Sequence, residues 1–199
     1  MPPKIRITRE ELIQAAIKLV RQNGEAALNA RNLAAELNCS TQPVFSNFKT
    51  MEELRAAVLE EAERIWDACA NRVLESGEYP PYKAYGMAYI RFAQEEKELF
   101  KLLYMCERSD EEMREEKKIY QKMTDMVKET VRIQDLESKL FHLEMWAVVH
   151  GIASMIATGY LQLEWELISR MVSDAYQGLK KQYEERREEI PLGDLPKGE

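Results

Sequence analysis

The sequence predicts an all-α protein of about nine helices, a small three-helix head carrying a helix-turn-helix and a larger helical body. Three observations predict it. Only 8 glycines and 7 prolines interrupt 199 residues, 45% of them hydrophobic, a composition that favours helix over sheet or disorder. Apolar residues recur at three- and four-residue spacing along most of the chain. Helix-start patterns stand at Thr8-x-x-Glu11, Thr50-x-x-Glu53 and Ser109-x-x-Glu112, each ahead of such a stretch.

Taken in order, Met1 to Ile7 is a basic arm whose Lys4 and Arg6 are available to a phosphate or a minor groove. Behind Thr8, residues Leu12, Ile13, Ala16, Leu19 and Val20 form a helical stripe that ends at Asn23-Gly24, a helix-stop signal. Residues Arg31 to Phe48 then predict two short helices joined by a turn at Asn38-Cys39-Ser40. Asn29 is the expected N-cap of the first, with Leu33, Ala34 and Leu37 on its inner face. Ser40 is the expected N-cap of the second, with Pro43 in its first turn, where a missing backbone N–H costs little. Val44 and Phe48 point inward by their spacing. Thr41, Gln42, Phe45, Ser46 and Asn47 are left on the outer face, a chemistry suited to base edges in a major groove.

In the body, Leu54, Val58, Ala62, Ile65, Cys69 and Val73 make a stripe about six turns long from Met51. Glu75-Ser76-Gly77 ends that helix and Pro80-Pro81 starts the next. Tyr82 to Tyr104 is rich in aromatics and predicts two helices bending near Gln94 to Lys97. The helix after Ser109 runs to about Val131, its narrow stripe made of Met113, Ile119 or Tyr120, Met123, Met126 or Val127, and Thr130. Gln134-Asp135 begins a helix apolar nearly all round from Leu140 to Tyr160, and a last helix runs from about Glu164 to Tyr183. The expected division is a head over residues 1–50, a body over 51–190 and a flexible tail over 191–199.

A helix apolar on several faces needs partners on several faces. The last two helices are therefore the expected seam of a homodimer, carried by Ala153, Ile156, Ile168, Met171, Val172 and Ala175. The excess of aromatics and thioethers in the body predicts a pocket for an apolar or aromatic small molecule. Its expected wall is Trp66, Met87, Tyr89, Phe100, Leu103, Tyr104, Met123, Met126, Trp146 and Tyr160.

These motifs carry a family resemblance. A helix, a helix-turn-helix and a long helix within the first fifty-odd residues resemble the N-terminal DNA-binding domain of the TetR family of transcriptional repressors. Arg31, Ser40, Val44, Phe48 and Leu54 fit that family's pattern. Phe45 stands where the family usually has Tyr, and Met51 where it usually has Lys, the two family residues that generally contact phosphates. Tyr85 to Ala93 with Leu99, Phe100 and Leu103, and Trp146 followed by His150-Gly151, are similar to the ligand domain of one TetR subgroup. The resemblance implies a homodimeric, ligand-responsive regulator on a palindromic double-stranded DNA operator. Its DNA-binding residues would be Arg31, Ser40, Thr41, Gln42, Phe45, Ser46, Asn47, Lys49 and Thr50.

Charge agrees with this division of labour. Residues 1–50 carry net +3, which leaves −10 for the rest of a chain whose net charge is −7. A basic head is drawn to phosphates while an acidic body discourages wrapping. Cys39, Cys69 and Cys106 are widely spaced and match no metal or redox pattern, so they are expected as ordinary thiols of a cytoplasmic protein, Cys39 small and buried. No run approaches about 18 apolar residues. No nucleophile elbow, phosphate loop or metal-binding motif is present, and neither a catalytic residue, a metal nor a cofactor is expected. His150 is expected as a satisfied core or interface histidine rather than a ligand. The competing expectation is a helical interaction protein with weakened or lost DNA binding, kept open by Phe45 and Met51.

Overall fold

The computed structural model describes residues 7–106 and 110–185, the side chains of 110–118 excepted. Among these residues the chain is all-helical, as predicted, with nine α-helices and no strand. They are α1 (Arg9–Asn23), α2 (Ala30–Glu36), α3 (Gln42–Asn47), α4 (Met51–Glu75), α5 (Pro81–Glu95), α6 (Lys97–Tyr104), α7 (Asp110–Val131), α8 (Asp135–Ala157) and α9 (Trp165–Glu185), with a single 3-10 turn at Glu25–Ala27. The arm at Lys4 and Arg6, the Ser109 cap and the tail beyond residue 185 lie outside the described residues.

Local chemistry sets most helix starts. Thr8 closes a capping box on α1: its Oγ1 accepts from Glu11 N at 3.2 Å, and its own N–H donates to the Glu11 carboxylate at 2.7 Å. Asn29 caps α2 through Asn32 N at 3.0 Å, and Thr50 caps α4 through Glu53 N at 3.2 Å. Gln134 and Glu137 form a second capping box at α8. Each cap of this kind contributes about 1 kcal/mol. Ser40 does not cap α3. That helix begins one residue later than its spacing suggests, with Thr41 as N-cap and Pro43 in the first turn, because the carbonyl of Thr41 accepts from Val44 at 3.1 Å and Phe45 at 3.4 Å.

Helix α5 is central. It packs against α4, α8 and α6, with further contacts to α7 and α9, and buries Met87, Ile90 and Phe92 completely. Burial of a side chain of this size stabilises by about 1.5–3 kcal/mol. One hydrophobic cluster runs from Leu12 in α1 to Tyr183 in α9. Lys83 pins α9 to α5 by donating to the hydroxyls of Ser169 at 2.7 Å and Ser173 at 2.8 Å. Gly86 lets α5 and α8 approach closely, since a Cβ there would stand 3.2 Å from Val149 Cγ2.

The predicted bend falls at Glu96, between α5 and α6. In α7 the alternatives resolve to Tyr120 and Val127, with Ile119 exposed and Met123 buried; Thr130 is exposed, and buried Thr124 joins the stripe. Helix α8 stops at Ala157, short of Tyr160, because Gly159 adopts φ +74 and its N–H closes on Ile156 O at 3.0 Å. By length and composition α8 is apolar enough to cross a membrane. Its apolar side chains are instead divided between the chain's core and an outward face.

Candidate nucleic-acid interface and aromatic cluster

Helices α2 and α3 form the helix-turn-helix. Asn38 takes the left-handed conformation at φ 50 that the turn requires, tolerated by Asn better than by most residues, and Cys39 N donates to Ala34 O at 2.9 Å. Cys39 itself is only half-buried. Val44 and Phe48, each 1% exposed, lock α3 onto the core that contains Leu33 and Leu54, and the Arg9 guanidinium lies 4.8 Å over the Phe48 ring.

The nine residues singled out for DNA contact all retain exposed surface, but their polar groups differ in availability. Ser46 Oγ donates to Gln42 O at 2.8 Å, and Asn47 Nδ2 donates to Pro43 O at 2.8 Å and Ile7 O at 3.3 Å. Thr50 Oγ1 holds its helix cap. Ser40 is exposed and Thr41 half-buried at the start of α3. Gln42 and Phe45 stand on one exposed face, Phe45 at 54% exposure. Arg31 and Lys49 are exposed, and neither forms an ion pair with a described residue. Met51, at the position of the family's lysine, is half-buried against the core.

This head is joined to the body at two places. Helix α4 runs from Leu54 and Val58 beneath the helix-turn-helix to Trp66, and α1 rests on α6. At the second seam Arg21 donates to both carboxylate oxygens of Glu96 from Nε and Nη2, one edge of its guanidinium, beside a charged cleft of about 380 Å³ lined by Arg21 and residues 94–98.

Within the body, Trp66, Tyr89, Phe100 and Tyr104 come together as one aromatic cluster. Tyr89 is its hub, with ring centroids 4.8 Å from Tyr104, 5.1 Å from Phe100 and 5.9 Å from Trp66. Phe92, absent from the predicted wall, contacts Trp66 at 5.5 Å. His150 joins through its Nδ1, 2.9 Å from the Tyr89 hydroxyl, and stacks on Trp146 at 4.7 Å. Seven residues earlier on α5 the motif repeats: Tyr82 OH lies 3.0 Å from His142 Nδ1. Burial there keeps the Tyr82 phenol protonated well above its ordinary range and pushes His142 down to about 4, so the bond joins two uncharged groups. Met87 and Met123 are buried, and Leu103 and Met126 partly so. Tyr160, 78% exposed beyond the end of α8, lies outside the cluster, and Trp146 is 40% exposed at its edge.

The seam residues require a correction. Ala153, Ile156, Ile168 and Val172 face the chain's own core at 0–5% exposure. Of the predicted set only Met171 is exposed, with Ala175 half-buried. The outward apolar residues of α8 and α9 are Leu136, Leu143, Trp146, Val148, Leu167 and Met171. Met171 alone of these belongs to the predicted seam; sequence periodicity could not separate outward from inward residues on α8 because that helix is apolar on nearly every face. Among the described residues no group of three His, Cys, Asp or Glu is placed to hold a metal.

Residues 82–175 match the family described as tetracyclin repressor-like, C-terminal domain. No curated protein is a significant sequence match. Among solved structures the chain is similar to a TetR-like transcriptional regulator from Rhodococcus sp. RHA1, at 14% identity and a TM-score of 0.67, covering 90% of this chain and 98% of that one. It is also similar to MexZ, described as a key repressor responsible for antibiotic resistance in Pseudomonas aeruginosa, at 21% identity and a TM-score of 0.60, covering 86% and 94%. A third, the multidrug binding protein EbrR complexed with imidazole, gives 17% identity and a TM-score of 0.57, covering 84% and 88%. At these identities the structural likenesses are likenesses of fold.

Proposed function

We propose that this chain, whose residues 82–175 match a tetracyclin repressor-like C-terminal domain and whose fold is like that of TetR-like regulators, is a ligand-responsive repressor of the TetR family. It binds a palindromic operator as a homodimer and leaves it when a small apolar or aromatic effector enters the body. The observation that carries the reading is the exposed face of α3, where Gln42 and Phe45 stand free of the core on a basic head flanked by Arg31 and Lys49. Such a face contributes base contacts from a recognition helix and phosphate contacts from its rim.

Dimerisation is supported by the outward apolar residues of α8 and α9, and by Gly151 and Gly178, where an added Cβ would meet nothing within 4 Å. That open space admits a second helix closely, and two-fold pairing would set two heads about 34 Å or a multiple apart on successive major grooves. The effector reading is supported by the Tyr89-centred cluster between α4, α5, α6 and α8. Those helices include both that connect to the head, α4 directly and α6 through α1. An effector shifts the DNA equilibrium only by its differential affinity for the two arrangements, typically about 1–3 kcal/mol.

Selection of a random duplex pool on the purified protein tests the first half of this reading, and thermal-shift screening of aromatic compounds followed by operator release tests the second. An enriched palindrome released by a stabilising compound is the expected result. No enrichment would overturn the DNA reading, whereas a compound that stabilises without release would overturn the switch.

A further inference from the structure

Resting on the DNA-binding reading above, we infer that Phe45 reads the 5-methyl group of a thymine in the major groove, next to the base taken by Gln42. The ring is 54% exposed, the large hydrophobic side chain that the described part of the head leaves in solvent. It has no core role: Val44 and Phe48, on the opposite side of α3, supply that at 1% exposure each. It has no phosphate role either, because a phenyl ring lacks the hydroxyl with which a phenol would donate to a phosphate oxygen.

The neighbouring polar groups sharpen the assignment. With Ser46 Oγ on Gln42 O and Asn47 Nδ2 on Pro43 O, these donors are engaged within the protein. Gln42 and Phe45, three residues apart and so adjacent on one helix face, remain as an amide beside a hydrocarbon surface. The major groove offers one apolar group on its base edges, the thymine methyl, and one edge that pairs bidentately with an amide, adenine N6 and N7. An amide beside a ring therefore matches a step containing adenine and thymine, and Phe45 distinguishes thymine from cytosine without a hydrogen bond.

The test uses the full chain and the palindrome selected from random duplexes. Each thymine is replaced in turn, symmetrically in both half-sites, by deoxyuridine, which removes one methyl and leaves every hydrogen-bonding group in place. One position is expected to lose about fourfold in affinity per half-site, about fifteenfold for the pair, the value of one buried methyl. Phe45→Ala, at an exposed site that leaves the fold intact, should bind the unmodified palindrome more weakly by a similar factor and be indifferent to deoxyuridine at that position, while Phe45→Leu retains part of the sensitivity. A selected palindrome whose affinity is flat across the deoxyuridine scan, or a loss that persists unchanged in Phe45→Ala, would overturn the inference and leave DNA binding standing. Failure to enrich any sequence would overturn both.

Discussion

Arg21 on α1 grips Glu96, the residue between α5 and α6, by donating from Nε to Oε2 at 2.8 Å and from Nη2 to Oε1 at 2.7 Å. Four residues beyond Glu96, Phe100 packs against Tyr89 in the aromatic cluster. One short helix thus touches the head at its start and the cluster along its length. Glu96→Gln should lower stability by less than about 1 kcal/mol, because both partners keep solvent contact. It should weaken the effect of an aromatic effector on DNA affinity by a larger factor, read by titrating DNA with and without the compound. An unchanged effector response in Glu96→Gln would show that coupling runs through α4 alone.

Substitutions on α8 should separate its two faces. Leu143→Arg places charge on the outward side, where Leu143 is 49% exposed, and should yield folded monomers by light scattering with an unfolding midpoint near that of the parent. Ala153→Arg forces the same side chain into a site with 0% exposure and should cost several kcal/mol of stability, on the order of a severe core lesion. Two variants with the same oligomeric state and equal stability would place the seam elsewhere.

The pair Tyr82 and His142 makes stability depend on pH. Burial lowers His142 from 6.5 to about 4 in the folded chain, so the unfolded chain takes up the proton first as pH falls. The contribution is whole above about pH 6.5 and is lost progressively towards pH 4, on the order of 2 kcal/mol after allowance for partial exposure. Urea unfolding of His142→Gln, which keeps a hydrogen-bonding side chain, should show a shallower decline across that window. An identical slope in both proteins would assign the acid sensitivity to carboxylates.

The sequence was informative where structure is local. Thr8, Asn29 and Thr50 cap helices through partners three residues away, and the bend at Glu96 follows from a break in apolar spacing. It was silent where one helix meets another. Tyr82 with His142 and Tyr89 with His150 are pairs 60 and 61 residues apart, and no periodicity within α5 or α8 announces them. Periodicity also failed on α8, where Ala153 and Leu143 look alike to a pattern that finds apolar residues on every face. Ser46 and Asn47 look available by spacing alone, yet both bond to the backbone of α3 and Asn47 also to Ile7, contacts that outward spacing does not encode.

The central claim, that the face of α3 reads DNA, is tested most directly by fluorescence anisotropy on the selected palindrome and on a scrambled duplex of equal length at the same salt. The parent chain should prefer the palindrome by about 10³-fold or more. Gln42→Ala should lose about 1–3 kcal/mol on the palindrome and relax preference at one position of each half-site, whereas Lys49→Ala should weaken both duplexes alike and flatten the salt dependence by about one unit per half-site. Equal affinity of the parent for the two duplexes, or a Gln42→Ala loss that is the same on both, would contradict the account.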